Sequence, residues 1–301
     1  MNQVIFLDYY HPYAGLCNQL YLITNHIVDA YQKDTQIYIN KVNIDIFNKE
    51  RIPAEDFFDL KATNENIKRL TGKDLILFEK PQQNFVIPRL CIYPVASIPI
   101  LNCLEFNEKF YQNIPKMNYN SIHFRLELDA IISYLFDKNC YNDFMDRCNN
   151  GTLSKNFCDN FMNLQEVKDY INYLLNQYIS FINQIGFENP WYICTLIGKK
   201  KIHDCLKPAL KNLTDFINKR GLVLKNEQHF EQRELNALVD LLILRDAKCM
   251  IGFEGSSYSE GYAFKVNSVR KVNYVKEKNG ITYRFVNGIV NKFSDELYKS
   301  C

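Results

Sequence analysis

The sequence predicts an α/β protein of two Rossmann-like lobes, and three observations predict it. Short apolar runs of strand length alternate with longer stretches of helical periodicity, the pattern of parallel sheets wound by right-handed crossovers. The chain has 301 residues, long for one hydrophobic core and comfortable for two. A strand–loop–helix unit opens the chain at Val4, and a second series of strands and helices opens at Ser121. An internal boundary near residues 115–121 follows, giving a first lobe over 1–118 and a second over 119–301, whose tail is expected to pack back on the first.

The elements read as follows. Val4-Ile5-Phe6-Leu7 is a buried strand, His11 to Gly15 a loop, and Asn18 to Tyr31 a helix with apolar residues at helical spacing. Gln36–Ile39 is a second strand. Residues 41–120 carry prolines and short apolar runs and read as irregular, with Leu75–Phe78 and Phe85–Ile87 as apolar pieces. Ser121–Phe124 is a short strand, and Asn139 to Asp159, rich in Asn, Asp and Cys, reads as a loop. Leu164 to Ile185 is a helix with Gly186 as its stop. Trp191–Thr195 is a strand, Lys201 to Asn212 a helix, Leu222–Leu224 a strand, Glu234 to Ala247 a helix and Cys249–Phe253 a strand. Ser256 begins a turn into a helix. Lys271–Val275 and Thr282–Val286, around Lys278-Asn279-Gly280, resemble a β-hairpin.

Composition narrows the function. With 47% hydrophobic residues the chain buries sizeable cores, and a net charge of +2 gives no reason to expect nucleic acid or anionic membrane as partner. No apolar stretch approaches the ~20 residues of a membrane span. Ten cysteines lie without the paired short spacings of a zinc site, and several sit in apolar segments. They read as reduced thiols in a cytoplasmic protein.

In open α/β sheets ligands sit beyond the carboxyl ends of strands, so the residues following Phe124, Thr195 and Phe253 matter most. In Ser121-Ile-His-Phe-Arg-Leu-Glu-Leu-Asp129 a strand delivers His123, Arg125, Glu127 and Asp129. If the strand continues, all four share one face. Arg125 suits a diphosphate through its planar, permanently charged fork; the alternative is a structural ion pair with Glu127 or Asp129. In Gly252-Phe-Glu-Gly-Ser-Ser-Tyr-Ser259 a strand empties into a small-residue turn before a helix, which either offers an anion site with Ser256 and Ser257 or is ordinary N-capping. Asp240 interrupts an apolar helix and either faces solvent or bonds something specific. Ala14-Gly-Leu-Cys-Asn-Gln19 lacks the glycines of a dinucleotide fingerprint; Gly15 permits backbone approach, and Asn18 and Gln19 offer polar contacts, unless this is a plain helix-starting turn.

Together these three places resemble the O-fucosyltransferase superfamily, which includes protein O-fucosyltransferases, α1,6-fucosyltransferases and plant rhamnosyltransferases. His123-Phe-Arg-Leu-Glu-Leu-Asp129 is similar to the plant-type His-Leu-Arg-Phe-Glu-x-Asp motif, and Trp191-Tyr-Ile-Cys-Thr195 falls where the family has a strand ending in Ala-Thr. The resemblance spans residues 1–40 and about 120–265. Two departures stand out: Leu196 where the family often has an acidic residue, and Gly261-Tyr-Ala-Phe264 where plant members carry a Gly-His-Arg-Arg-like run.

The resemblance implies a GT-B fold, two lobes facing a central cleft, with inverting chemistry and no metal. By position, Arg125 grips the β-phosphate, His123 and Asp240 contact the base, Ser256 and Ser257 bind phosphate oxygens, and Asn18 places donor and acceptor. Gly15, Asp129 and Tyr258 complete the expected donor site. The expected donor is GDP-fucose, and the acceptor is a glycan or protein hydroxyl. Arg125 and helix-end N–H groups suit the charge that develops on the leaving diphosphate, and His11 and Glu127 are the candidate bases. A rhamnosyltransferase using a UDP- or dTDP-linked donor, and a non-catalytic nucleotide-sugar or glycan binder, are the alternatives.

Overall fold

Val4–Asp8 is the strand β1, with Ile5, Phe6 and Leu7 all buried, because a strand covered on both faces takes a continuous apolar run. In the computed structural model the described residues are 3–8, 15–45, 49–82, 84–88, 98–136, 138–150, 152, 155–197, 199, 201–224, 230–254, 256, 258–264 and 271–275. The helix α1 (Leu16–Gln32) follows β1, then the strands β2 (Ile37–Asp45) and β3 (Glu50–Pro53). Next come the helix α2 (Leu60–Thr71) and the short strand β4 (Phe85–Val86). They form one sheet in the order β3-β2-β1-β4, parallel except for the antiparallel pair β2–β3.

This corrects the irregular reading of residues 41–120, for α2 is cleanly bounded. The Asp59 carboxylate accepts the Ala62 N–H at its start, and Gly72 closes it at φ 77°, a left-handed conformation that favours glycine.

The second sheet begins at β5 (Asn120–His123), every residue of which is buried. Helices α3 (Leu128–Leu135), α4 (Lys138–Asn149), α5 (Lys155–Asn163) and α6 (Gln165–Ile185) follow. After them come β6 (Trp191–Cys194), a 3-10 turn (Lys201–Leu206), α7 (Lys207–Asn218) and β7 (Val223–Leu224). After α8 (Arg233–Asp246) the sheet is completed by β8 (Cys249–Phe253) and β9 (Lys271–Val275), in the order β7-β6-β5-β8-β9 with every pair parallel.

α6 buries Val167, Tyr170, Ile171, Leu174, Leu175, Tyr178 and Ile182, a stripe at helical spacing, and stops at Gly186 with φ 92°. The loop expected over Asn139 to Asp159 is instead α4 and most of α5. Phe144, Phe157 and Phe161 are fully buried there, and their burial outweighs the weak helix propensity of the Asn and Asp residues around them. β9 pairs parallel with β8; the second half of the expected hairpin, Thr282–Val286, lies outside the described residues.

The chain divides into two compact units. The first holds Met1–Lys116, Gln228–Asp246 and Gly255–Val269; the second holds Met117–Glu227, Ala247–Glu254 and Arg270–Cys301. Two α/β units of this kind accord with a GT-B-like class. α8 belongs to the first unit, where it packs against α1 and β2. Its residues Leu235, Leu238, Val239, Leu241, Leu242, Ile243 and Leu244 are all buried, and so are Glu234, Asn236 and Asp240, so the helix is enclosed on every side.

Candidate functional site

In the second sheet the chain runs from β5 outward through β6 to β7, then returns to the other side of β5 for β8 and β9. The strand order therefore reverses between β5 and β8, and the crevice beyond the carboxyl ends at such a reversal is where open α/β sheets hold ligands. Arg125 lies two residues past the end of β5.

The run His123 to Asp129 does not continue as a strand, so its four polar side chains do not line one sheet face. β5 ends at His123, the chain turns, and α3 begins at Leu128 with Glu127 at its N-cap position and Asp129 in its first turn. A tyrosine from α6 fixes the turn. The Tyr178 hydroxyl donates to the His123 carbonyl at 2.7 Å and accepts the Arg125 N–H at 3.1 Å. His203, from the 3-10 turn, accepts the Leu128 N–H on Nδ1 at 3.3 Å and so caps α3.

This geometry gathers the charges that the sequence set apart. One guanidinium nitrogen of Arg125 lies 3.3 Å from Glu127 Oε2 and another 4.0 Å from Asp129 Oδ2. Glu127 is buried, whereas the Arg125 side chain keeps 29% of its surface. Burial works against the guanidinium charge, but Glu127 and then Asp129 outweigh it and hold Arg125 above its usual value. The ion-pair reading of Arg125 is therefore observed, and Tyr134 adds a hydrogen bond to the same side chain. His123 is buried, and burial, followed by the nearby Arg125 charge, pushes its pKa well below 6.5, so it stands as a neutral imidazole.

The other expected residues lie on the first unit. Gly15 precedes α1 at φ −61°, a conformation any residue adopts, and a Cβ there would meet nothing within 4 Å. Asn18 is half-buried. Gln19 is fully buried and spends its amide on the backbone of Asn43 in β2, donating to the carbonyl and accepting the N–H, both at 3.1 Å. The first N–H of α1, on Leu16, donates to Glu234 Oε2 at 2.8 Å, so a carboxylate from α8 already occupies that helix start. Asp240 is 6% exposed, which removes the solvent-facing alternative. Ser256 Oγ accepts the N–H groups of Tyr258 (3.2 Å) and Ser259 (3.5 Å), and so caps the π-helical turn Ser259–Phe264. The half-buried Tyr258 donates its hydroxyl to the Ala237 carbonyl. His11 and Ser257 lie outside the described residues.

Tyr178, His203 and Glu234 escaped the sequence reading. Tyr178 sits on the apolar stripe of α6 and is indistinguishable there from core. His203 and Glu234 act on residues 75 and 218 positions away, and no local pattern announces that. A cavity of about 550 Å³ in the first unit, lined by Tyr38, Phe58 and Glu55 among others, contains none of the expected site residues. Among the described residues no group of three or more His, Cys, Asp or Glu side chains is gathered as a metal ion would need, and no helix is long and apolar enough to cross a membrane.

No protein-family model and no curated protein matches the chain. Among solved structures, it is similar to one titled "Crystal structure of POFUT1 in complex with GDP", with a TM-score of 0.46 and 13% sequence identity. The match covers 91% of this chain and 99% of that one.

Proposed function

We propose that the protein is a glycosyltransferase of the O-fucosyltransferase kind, moving a 6-deoxyhexose, L-fucose from GDP-fucose, onto a glycan or protein hydroxyl. The observation that supports this is the place of Arg125: an always-charged fork on a partly exposed side chain, just past the central strand at the point where the sheet order reverses. In this reading Arg125 takes the β-phosphate and stabilises the charge that grows there as the glycosidic bond breaks. Glu127 and Asp129 orient the fork. Neutral His123 and buried Asp240 read the base, while Ser256, Ser257, Tyr258, Asn18 and Gly15 complete the donor site. Ser256 Oγ accepts two N–H groups and keeps its own proton to donate to a phosphate oxygen. Glu127 is committed to Arg125, so the deprotonation of the acceptor falls to His11 or to the acceptor's surroundings.

Transfer needs no metal in this reading, because Arg125 carries the charge stabilisation. Activity is expected to persist in excess chelator; loss that manganese or magnesium restores would overturn the metal-free mechanism. The nucleotide tests the donor. A carboxylate at Asp240 matches the paired N1–H and amine donors of guanine, whereas uracil offers one donor, a difference of about 1–3 kcal/mol. Isothermal titration is expected to show GDP binding tighter than UDP, with Asp240→Asn narrowing the gap. UDP binding as tightly as GDP would replace GDP-fucose with a UDP- or dTDP-linked rhamnose donor.

A further inference from the structure

The cavity of about 550 Å³ in the first unit is lined by none of the residues assigned to the donor. Its size is that of a ligand-holding cleft, roughly 300–1,000 Å³. The walls combine two kinds of surface. Tyr38 on β2, the buried Phe58 and the exposed Phe78 supply aromatic faces. Phe78 keeps 57% of its surface and makes no ring contact among the described residues, so the core does not use it. The polar part of the lining is Glu55, Asp59, Lys61, Asn107 and Glu108.

The fold holds this lining in place. Phe58 and Phe106 form an antiparallel bridge. Beside it the Asp59 N–H donates to the Glu105 carbonyl at 3.0 Å, and the Asn107 N–H to the Phe57 carbonyl at 3.1 Å. These bonds bring together Asp59 and Asn107, each at the start of a helix. One Asp59 carboxylate oxygen accepts the Ala62 N–H, and the Asn107 side-chain oxygen accepts the Lys109 N–H. The second Asp59 oxygen and the Asn107 side-chain N–H groups have no partner among the described residues. Nor have the Tyr38 hydroxyl, the Lys61 ammonium or the Glu55 and Glu108 carboxylates. Burial, and then the Glu55 charge, hold the Tyr38 hydroxyl above its usual pKa, so it keeps its proton and can donate.

We propose that this cavity is a binding site for a neutral saccharide, in addition to the nucleotide site. A sugar ring carries hydroxyls that donate and accept at once, and an apolar C–H face. The carboxylates accept from those hydroxyls, Tyr38, Lys61 and Asn107 donate to them, and Phe78 covers the C–H face. Three carboxylates against one ammonium turn a phosphate away, so the occupant is not the nucleotide-sugar. Lys61 in the same wall, with the donors of Tyr38 and Asn107, sets the lining apart from a cage for a cation. The site stands independently of the reading of Arg125.

The test applies the native protein to an array of neutral, sulfated, sialylated and amine-bearing glycans. Neutral glycans are expected to be retained. Phe78→Ala and Glu55→Gln are each expected to weaken retention about tenfold, through loss of a stacked ring face or of a hydrogen bond to a charged group. Both side chains are exposed, so urea midpoints are expected to stay at the wild-type value, and the exposed Glu108→Gln repeats the test if either midpoint falls. Retention of no neutral glycan would overturn the proposal. So would retention confined to sulfated or sialylated glycans, and retention of amine-bearing glycans alone would show that the carboxylates read a cation. Unchanged retention in both variants would place the glycan elsewhere and overturn it equally.

Discussion

The first strand of each sheet is followed by a helix whose start is capped from far along the chain, and the two caps differ in charge. At α1 the cap is Glu234, a buried carboxylate paired with Arg233 at 3.0 Å. At α3 it is His203, whose Nδ1 accepts the Leu128 N–H and so carries no proton of its own. A helix start favours negative charge. The first unit supplies that charge at the cap itself, whereas in the second it comes from Glu127 and Asp129, both paired with Arg125. Two similar strand–helix junctions are thus prepared differently, one capped by a carboxylate and one by an imidazole.

Arg125 gives the largest expected effect. Arg125→Ala removes the counter-charge of a buried carboxylate, so a loss of about 3 kcal/mol in urea denaturation is expected, together with loss of transfer. Arg125→Lys keeps the charge but not the fork, and is expected to keep most of that stability while transferring about a hundredfold or more slowly. Wild-type rates in Arg125→Lys would leave the junction with a structural ion pair and no grip on a diphosphate.

Tyr178→Phe comes next. It removes the hydroxyl that holds the turn between β5 and α3, at an expected cost of about 1–3 kcal/mol. If GDP binding weakens in step, the turn positions Arg125; unchanged binding would show that Glu127 and Asp129 suffice.

On the first unit, Glu234→Ala is expected to cost about 1–2 kcal/mol, the range for a lost helix cap, and Glu234→Gln less, because the amide oxygen still accepts the Leu16 N–H. Equal losses in both variants would mean that charge rather than the hydrogen bond closes this junction.

The pH dependence probes His123. Its folded pKa is depressed, first by burial and then by Arg125. Above about pH 6.5 the imidazole is neutral in both folded and unfolded chains, and its contribution is complete. As pH falls below that value the unfolded chain takes up a proton that the folded chain refuses, so stability declines, by at most about 1.4 kcal/mol per pH unit for one group. His26, lowered mainly by its own burial, adds a slope of the same sign. Urea midpoints are expected to fall with acidification, and less steeply in His123→Gln; identical slopes would remove His123 as a source.

Gly15→Ala is the smallest, within about 0.5 kcal/mol in stability, because nothing crowds a Cβ there and the backbone is ordinary. Weakened GDP binding at unchanged stability would place ligand against the start of α1.

What the sequence made legible was local. The α6 stripe and its glycine stop, the apolar strands at Trp191 and Cys249, and the apolar α8 are each written in consecutive residues. α4 and α5 were not, because three buried phenylalanines rather than helix propensity form them. α2 carries its signals in Asp59 and Gly72, but in a stretch broken by prolines they do not stand out. Arg125 was visible as a residue past a strand, but the bend at His123 was not, since it depends on a tyrosine 55 positions away. Side chains that act across such separations leave no mark on periodicity.

The passage of α8 into the first unit bears on how the protein is made. α1, β2 and their neighbours leave the ribosome early, yet the helix that covers them lies beyond the long stretch Met117–Glu227, which belongs to the other unit. At ordinary rates of synthesis this delay is on the order of ten seconds. During it the first sheet lacks the buried faces of Leu238, Leu241 and Leu242, and the Leu16 N–H lacks the Glu234 carboxylate. The unit whose synthesis starts first is therefore completed only after most of the second has emerged, and a nascent chain halted before Arg233 would present an unfinished apolar surface to the chaperones around it.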